Sequence, residues 1–131
     1  MNLAPQKKWI VWVGRVLSAV PVLMMLLSSS MKLMHTAQTV DMFTGKFGYP
    51  PSALTPIGLL ELACAIVYVI PRTAVLGAVL VSCYFAAALA THVRIGDPSG
   101  VIPVLLGVFA WGGLYLRDER IRSLLPIRRD P

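Results

Sequence analysis

The sequence predicts an all-α fold: a four-helix transmembrane bundle with both termini on the cytoplasmic side. Only 14% of the 131 residues are charged, whereas 56% are hydrophobic. A soluble domain averages about 25% charged residues, so this deficit indicates that lipid surrounds much of the chain. Four apolar runs are separated by turn-forming segments, and a bilayer core of about 30 Å sets the length that such runs must reach. At this length we expect a single membrane domain, residues 1–131.

The first helix is predicted over residues 9–31, where the chain becomes apolar. Arg15 is close enough to its start to extend back to the headgroups, and Pro21 is tolerated in membrane helices. A cleaved signal peptide is the alternative, because lysines precede the apolar run and three serines lie near its end. We favour a retained helix, since the run exceeds a typical signal core.

Residues 32–53 form the least hydrophobic segment before the C-terminal tail. Methionines and aromatic residues keep it amphipathic, so a short helix in the membrane interface is expected. Glycines and a Pro-Pro pair then end it. The second membrane helix is predicted over residues 54–70, with Pro56 in its first turn and Pro71 directly after its end.

The third helix is predicted over residues 73–92, where alanines and glycines allow close approach of neighbouring helices in lipid. A Gly-Asp-Pro-Ser-Gly turn follows at 96–100, and the fourth helix is predicted over residues 101–116. The tail, residues 117–131, is basic and cytoplasmic in this topology. We expect it to form an amphipathic turn or two on the membrane surface.

The basic residues set the predicted orientation, because cytoplasmic loops carry an excess of Lys and Arg. With four helices, the side that holds both termini collects Lys7, Lys8, Arg15, Arg72, Arg117, Arg120, Arg122, Arg128 and Arg129. The opposite side holds only Lys32, Lys46 and Arg94. Basic clusters beside apolar spans indicate contacts with anionic lipids. Nucleic acid is not an expected partner, since no soluble basic surface with interleaved aromatic residues is present.

This topology brings four ionisable residues to the outer half of the bundle: Lys32, Glu61, His92 and Arg94. Ionisable groups in a spanning segment are costly and normally face the bundle interior or a wet cavity, where they are paired. We therefore predict that Glu61 pairs with Lys32 or with Arg94.

The same topology suggests a cavity below these charges. Cys64 and Tyr68 follow Glu61 on one helix face, and Tyr84 lies on a face of the third helix that ends at His92. If the two faces meet, Cys64, Tyr68 and Tyr84 line a narrow cavity. A flat lipophilic molecule such as a quinone would enter it from the bilayer and place a carbonyl near the polar cluster.

The structural alternative is that these charges form a buried ion network, which fixes helix register and binds no ligand. Cys64 and Cys83 are interpreted as small buried hydrophobic residues, although a disulfide between them is geometrically conceivable. No Cys/His spacing typical of a metal site occurs, and no catalytic residue is assigned. The remaining aromatic residues are interpreted as interfacial anchors: Trp9, Trp12, Tyr49, Trp111 and Tyr115.

Eight short motifs lie along most of the chain. These are Ser29-x-x-Lys32-Leu33, Gly48-Tyr49-Pro50, Gly58-x-x-Glu61-Leu62, Ile70-Pro71-Arg72-Thr73, Gly77-Ala78, Ala90-Thr91-His92-Val93-Arg94, Trp111-Gly112 and Tyr115-Leu116-Arg117-Asp118. In this ensemble the chain resembles the DoxX-like group of small four-helix bacterial membrane proteins. The resemblance implies the four-helix fold and a multi-pass location in the bacterial cytoplasmic (inner) membrane.

For function, the resemblance implies an accessory or membrane subunit. Some relatives look like membrane subunits of sulfur-compound:quinone oxidoreductases, and others associate with thiol-redox partners. No haem, flavin or iron–sulfur motif is present, so no intrinsic cofactor is expected and a quinone is the candidate ligand. The candidate partners are membrane lipids, a membrane or peripheral redox protein and a second copy of the chain. The competing function is that of a purely structural or assembly subunit.

Overall fold

The fold is given by a computed structural model that describes residues 7–124. Its α-helices are α1 (Lys8–Leu33), α2 (Ala37–Val40), α3 (Leu54–Val69), α4 (Ala74–Arg94), α5 (Val101–Arg117) and α6 (Glu119–Leu124). Within the described residues no β-strand occurs. The end of the predicted tail lies outside them, and so do Arg128 and Arg129, which entered the orientation argument.

The four-helix transmembrane prediction is confirmed for residues 7–124. Four helical segments are long and apolar enough to cross a membrane: Lys8–Leu33, Pro51–Val69, Pro71–Arg94 and Pro98–Arg117. The second to fourth spans each start with a 3₁₀ turn that opens on a proline, which suits a first turn because proline lacks the amide hydrogen. The cytoplasmic orientation of the termini stays a prediction.

The four long helices form a ring in which α1 and α4 lie diagonally opposite, each packed against α3 and α5. Buried side chains from several helices form the core, among them Tyr68, Val81 and Leu114. The helices α3 and α4 approach closely at Gly77, where a Cβ would lie only 2.2 Å from the Cα of Tyr68. Small residues thus let these backbones touch, as expected for helices that pack in lipid.

One end of the ring, here called the cap end, is covered by the cap segment (residues 36–49). Thr36 caps α2 by accepting a hydrogen bond from the amide of Thr39. The helix then widens into a π-helix over Asp41–Lys46. This form is rare in proteins, and where it occurs it is often at a functional site. Gly48, with a φ of +76°, turns the chain towards α3. The short interfacial helix predicted here is therefore mostly π-helical.

Candidate functional site

Glu61 and Lys32 form an ion pair at the cap end, with Nζ of the lysine 2.7 Å from Oε2 of the glutamate. Both residues are almost fully buried, at 3% and 4% exposure. Gly58, one turn before Glu61 on α3, permits the close packing of α1, because a Cβ there would lie 3.1 Å from the Cβ of Lys32. The glycine thus lets the two helices pack closely beside the ion pair.

Further groups, from α1 itself and from other segments, surround the Lys32 ammonium. It donates to the hydroxyl of Ser28, one turn earlier on α1. It lies 5.2 Å from the ring centre of Phe43 in the cap segment and 6.0 Å from that of Tyr84 on α4. Ring faces attract a cation, so α1, α3, α4 and the cap segment all contribute to the surroundings of this one charge.

A cavity of about 500 Å³ lies beside this ion pair. Its walls are mainly apolar and aromatic, and they come from α1, the cap segment, α3, α4 and α5. Besides Lys32 and Glu61, the lining comprises Met24, Met25, Ser28, Met42, Phe43, Phe47, Tyr49, Ile57, Leu60, Cys64, Leu80, Cys83, Tyr84, Phe85, Ala87, Ala88, Thr91, His92, Pro103 and Leu106.

Polar contacts fasten the cap segment over this cavity. Nζ of Lys46 lies 2.7 Å from Oδ2 of Asp97, beyond the end of α4, and the hydroxyl of Tyr49 lies 2.8 Å from that of Thr91 on α4. The ion pair with Lys46 and a hydrogen bond from the amide of Ser99 lower the pKa of Asp97 to about 2. Asp97 therefore stays ionised at neutral pH and keeps its pairing with the cap segment.

His92 occupies the space between the cavity and this outer ion pair. Its Nδ1 lies 2.7 Å from the carbonyl oxygen of Ala88; since a carbonyl only accepts, Nδ1 carries a proton in this contact. Its Nε2 lies 4.0 Å from Oδ2 of Asp97, and its ring meets that of Phe47 edge-on at 5.1 Å. The imidazole thus faces the cavity on one side and a carboxylate on the other.

Two residues predicted for the site lie elsewhere. Arg94 does not pair with the glutamate, since its guanidinium donates to the carbonyl oxygen of Phe47. Arg94 follows His92 by two residues on α4, so its side chain points about 200° around the helix from the imidazole. Tyr68 does not line the cavity. It is 2% exposed, and its hydroxyl donates to the carbonyl oxygen of Ala110 at 2.7 Å and lies 2.8 Å from Oγ of Ser18.

The other predicted residues lie together: Cys64, Tyr84 and His92 are all in the cavity lining. Cys64 is buried, as interpreted from the sequence, but Cys83 is exposed, so its interpretation as a buried residue was wrong; both thiols are free. The conceivable disulfide between them is therefore not formed in this structure.

Several lining residues were missed from the sequence. Tyr49, interpreted as an interfacial anchor, instead hydrogen-bonds to Thr91 and lines the cavity. Phe43 and Phe47 belong to the cap segment, and their rings meet edge-on at 5.6 Å. The signal that could have found them is the recurrence of aromatic residues in an otherwise polar segment. Trp111 is likewise no simple anchor, since its indole donates to Oγ of Ser82.

No group of three or more His, Cys, Asp or Glu side chains that could hold a metal ion occurs among residues 7–124. In comparisons with known proteins, a family model described as the DoxX-like family matches residues 16–113. That range covers more than half of the chain and includes the ion pair and every residue of the cavity lining. Neither the curated proteins nor the solved structures contain a match.

Proposed function

This chain belongs to the DoxX-like family, and on that premise we propose that its cavity binds the ring of a lipophilic quinone. The protein would act as an accessory membrane subunit that serves a redox partner, in the bacterial cytoplasmic membrane with both termini inside. Its cavity of about 500 Å³ has the size and the mainly apolar lining of small-molecule sites, which span about 300–1,000 Å³.

The single observation that carries the proposal is the buried Lys32–Glu61 pair in the wall of this cavity. A quinone is an apolar ring with carbonyl oxygens, so it needs apolar walls and a few hydrogen-bond donors. The Lys32 ammonium is a charged donor beside the cavity, and the aromatic rings of Phe43 and Phe47 offer stacking surfaces. Ionisable groups retained inside a membrane span commonly mark such functional sites.

Access from the bilayer is supported by the lining residues on the lipid-facing side. Leu60 on α3 and Leu80 on α4 both line the cavity, and they are 56% and 37% exposed. A hydrophobic molecule dissolved in the membrane would therefore reach the cavity between apolar side chains. This route suits a quinone better than a water-soluble substrate.

A structural or assembly role is the second candidate, and one observation favours it. The Lys32 ammonium already contacts a carboxylate, a hydroxyl and an aromatic ring. With these partners the ammonium needs no ligand. In this role the ion pair fixes how α1 packs on α3, as buried polar pairs do in some proteins. The two candidates differ in whether a ligand binds in the cavity.

A cavity-filling substitution separates them. Ala88 lines the cavity, whereas Ala86 lies two residues earlier on α4, is exposed and is not part of the lining. A short-chain ubiquinone analogue is titrated into the purified protein in lipid nanodiscs, and retained quinone is measured. Ala88→Phe should weaken binding about fivefold or more, because overfilling a packed site costs about 1–3 kcal/mol. Ala86→Phe is the matched control and should bind normally. Equal, unchanged binding by both variants, or no binding by the unaltered protein, contradicts the proposal.

A further inference from the structure

The two ring nitrogens of His92 differ in what surrounds them. Nδ1 carries a proton, because it lies 2.7 Å from the carbonyl oxygen of Ala88, which only accepts. Nε2 has no hydrogen-bond partner among residues 7–124, since Oδ2 of Asp97 is 4.0 Å away and thus beyond hydrogen-bond distance. In a neutral imidazole with its proton on Nδ1, Nε2 is an acceptor. His92 therefore brings an unused hydrogen-bond acceptor to the cavity lining.

The carboxylate of Asp97 decides which kind of ligand group suits this nitrogen. It is ionised at neutral pH, because the ion pair with Lys46 and an amide hydrogen bond lower the pKa of Asp97 to about 2. Nε2 of His92 thus lies near a second acceptor. A ligand group that donates a hydrogen bond would satisfy Nε2, whereas a group that only accepts would add a third acceptor at this point.

A hydrogen-bond donor lies at the other end of the aromatic pair formed by Phe43 and Phe47. The ammonium of Lys32 is 5.2 Å from the ring centre of Phe43, and the ring of His92 is 5.1 Å from that of Phe47. An ammonium has three hydrogens, and two of them go to the carboxylate of Glu61 and to a hydroxyl on α1. One hydrogen of Lys32 is left for a ligand that stacks on these rings.

The oxidised and reduced forms of a quinone differ in what they offer these two groups. A quinone carbonyl oxygen only accepts, so it satisfies Lys32 but not Nε2 of His92. A quinol hydroxyl both accepts and donates, so the reduced ring satisfies both. We propose that the cavity binds the quinol more tightly than the quinone, with a quinol hydroxyl donating to Nε2 of His92. This inference rests on the proposed function, and it names the redox form that the site selects.

Protonation would reverse the part that His92 plays in this selection. An imidazolium carries a proton on both nitrogens, so Nε2 would donate and would suit the carbonyl oxygen of a quinone. Histidine is the side chain that commonly changes its charge between pH 5 and 8. The preference for the quinol should therefore be lost as the pH falls towards 5.

The other charged groups around His92 are held by protein partners: Lys46 by Asp97, Lys32 by Glu61, and Arg94 by the carbonyl oxygen of Phe47. Asp97, with its low pKa, stays ionised from pH 5 to 7.5. Tyrosines and cysteines, which also occur in the lining, are ordinarily neutral in this range. A preference that changes between pH 5 and 7.5 therefore reports on His92.

The test compares a short-chain ubiquinone analogue with its quinol in binding to the full chain in lipid nanodiscs, kept anaerobic. Bound ligand is corrected for partition into protein-free nanodiscs. At pH 7.5 we expect the quinol to bind about fivefold more tightly, which is the effect of about one net hydrogen bond. At pH 5 the ratio should fall towards one.

Two variants assign the preference to one histidine. His92→Phe keeps a ring but removes both nitrogens, so it should bind the two forms equally at either pH. His35→Asn is the matched control, because it removes the other histidine of the chain, which is exposed and outside the lining. Asparagine tolerates the positive φ of 52° at this position. This control should keep both the quinol preference and its pH dependence.

The two proposals fail in different ways. Equal binding of both forms by the unaltered protein at pH 7.5, or tighter binding of the quinone, overturns this inference while the binding site stands. A quinol preference that persists in His92→Phe overturns it equally. If that variant binds neither form, the unaltered protein decides, and a preference that is the same at pH 5 and 7.5 overturns the inference. If the unaltered protein binds neither form, the proposed function falls and this inference falls with it.

Discussion

Replacing Glu61 by Gln removes the charge that balances a buried lysine. Lys32 is only 4% exposed, so its ammonium cannot regain water without moving the end of α1. Removing one partner of a buried ion pair costs about 3–5 kcal/mol. At about 1.4 kcal/mol for each power of ten, Glu61→Gln should lower the folding equilibrium constant by two to four powers of ten.

The compensating variant carries Glu61→Gln together with Lys32→Met. It leaves no charge buried, and Met resembles the lysine stem in volume. Because replacing a whole buried pair with well-packed neutral groups is often neutral or stabilising, the double variant should recover most of the lost stability. The coupling between the two sites, obtained from the double-mutant cycle, isolates their interaction.

Stability is measured by unfolding the protein in mixed micelles with rising SDS, followed by circular dichroism. The matched control is Lys46→Met, which breaks an ion pair whose lysine is 51% exposed; it should lose much less, since exposed pairs contribute little. The reasoning is refuted if Glu61→Gln is as stable as the unaltered protein. It is refuted equally if the double variant is no more stable than Glu61→Gln.

Three further predictions follow from the packing and the cap segment. Tyr68→Phe should cost about 1 kcal/mol in the same unfolding assay, because it removes one buried hydroxyl's hydrogen bonds; it should leave quinone retention unchanged. Gly77→Ala should destabilise by about 1–3 kcal/mol through overpacking, whereas Gly112→Ala should be neutral or stabilising, because a Cβ there would meet no atom within 4 Å beyond the neighbouring backbone of its own helix. The pKa of Asp97 falls from 3.8 to about 2 on pairing with Lys46, so its stabilisation is complete above the unfolded pKa and is lost as pH falls from about 4 to about 2. Asp97→Asn should abolish this pH dependence when unfolding is measured across that range.

The fold could be predicted because its causes are local. Apolar length identifies a span, and glycine and proline mark its ends, so the number and order of the helices follow from composition along the chain. The pairing of Lys32 with Glu61 was equally accessible, since few charges enter the apolar spans and each needs a partner. The sequence left Arg94 open as the other partner of Glu61, and the structure shows the ion pair with Lys32.

The rest depends on long-range packing that no local pattern encodes. The hydroxyl of Tyr68 turns away from the predicted cavity because acceptors on α1 and α5 meet it in the core. Arg94 contacts the cap segment because the π-helix brings the carbonyl of Phe47 within its reach. Tyr49 reaches α4 for the same reason. The path of the cap segment decides these contacts, and its π-helical turn has no recognised sequence signature.

The most direct test of the quinone-site proposal is photoaffinity labelling with an azidoquinone in native-composition membranes. The proposal predicts label on peptides that contain Phe43 and Phe47 and on the cavity face of α4. Excess unlabelled quinone should suppress this label, and so should Ala88→Phe. Label confined to lipid-facing positions such as Val108, which is 59% exposed, and insensitive to unlabelled quinone would contradict it.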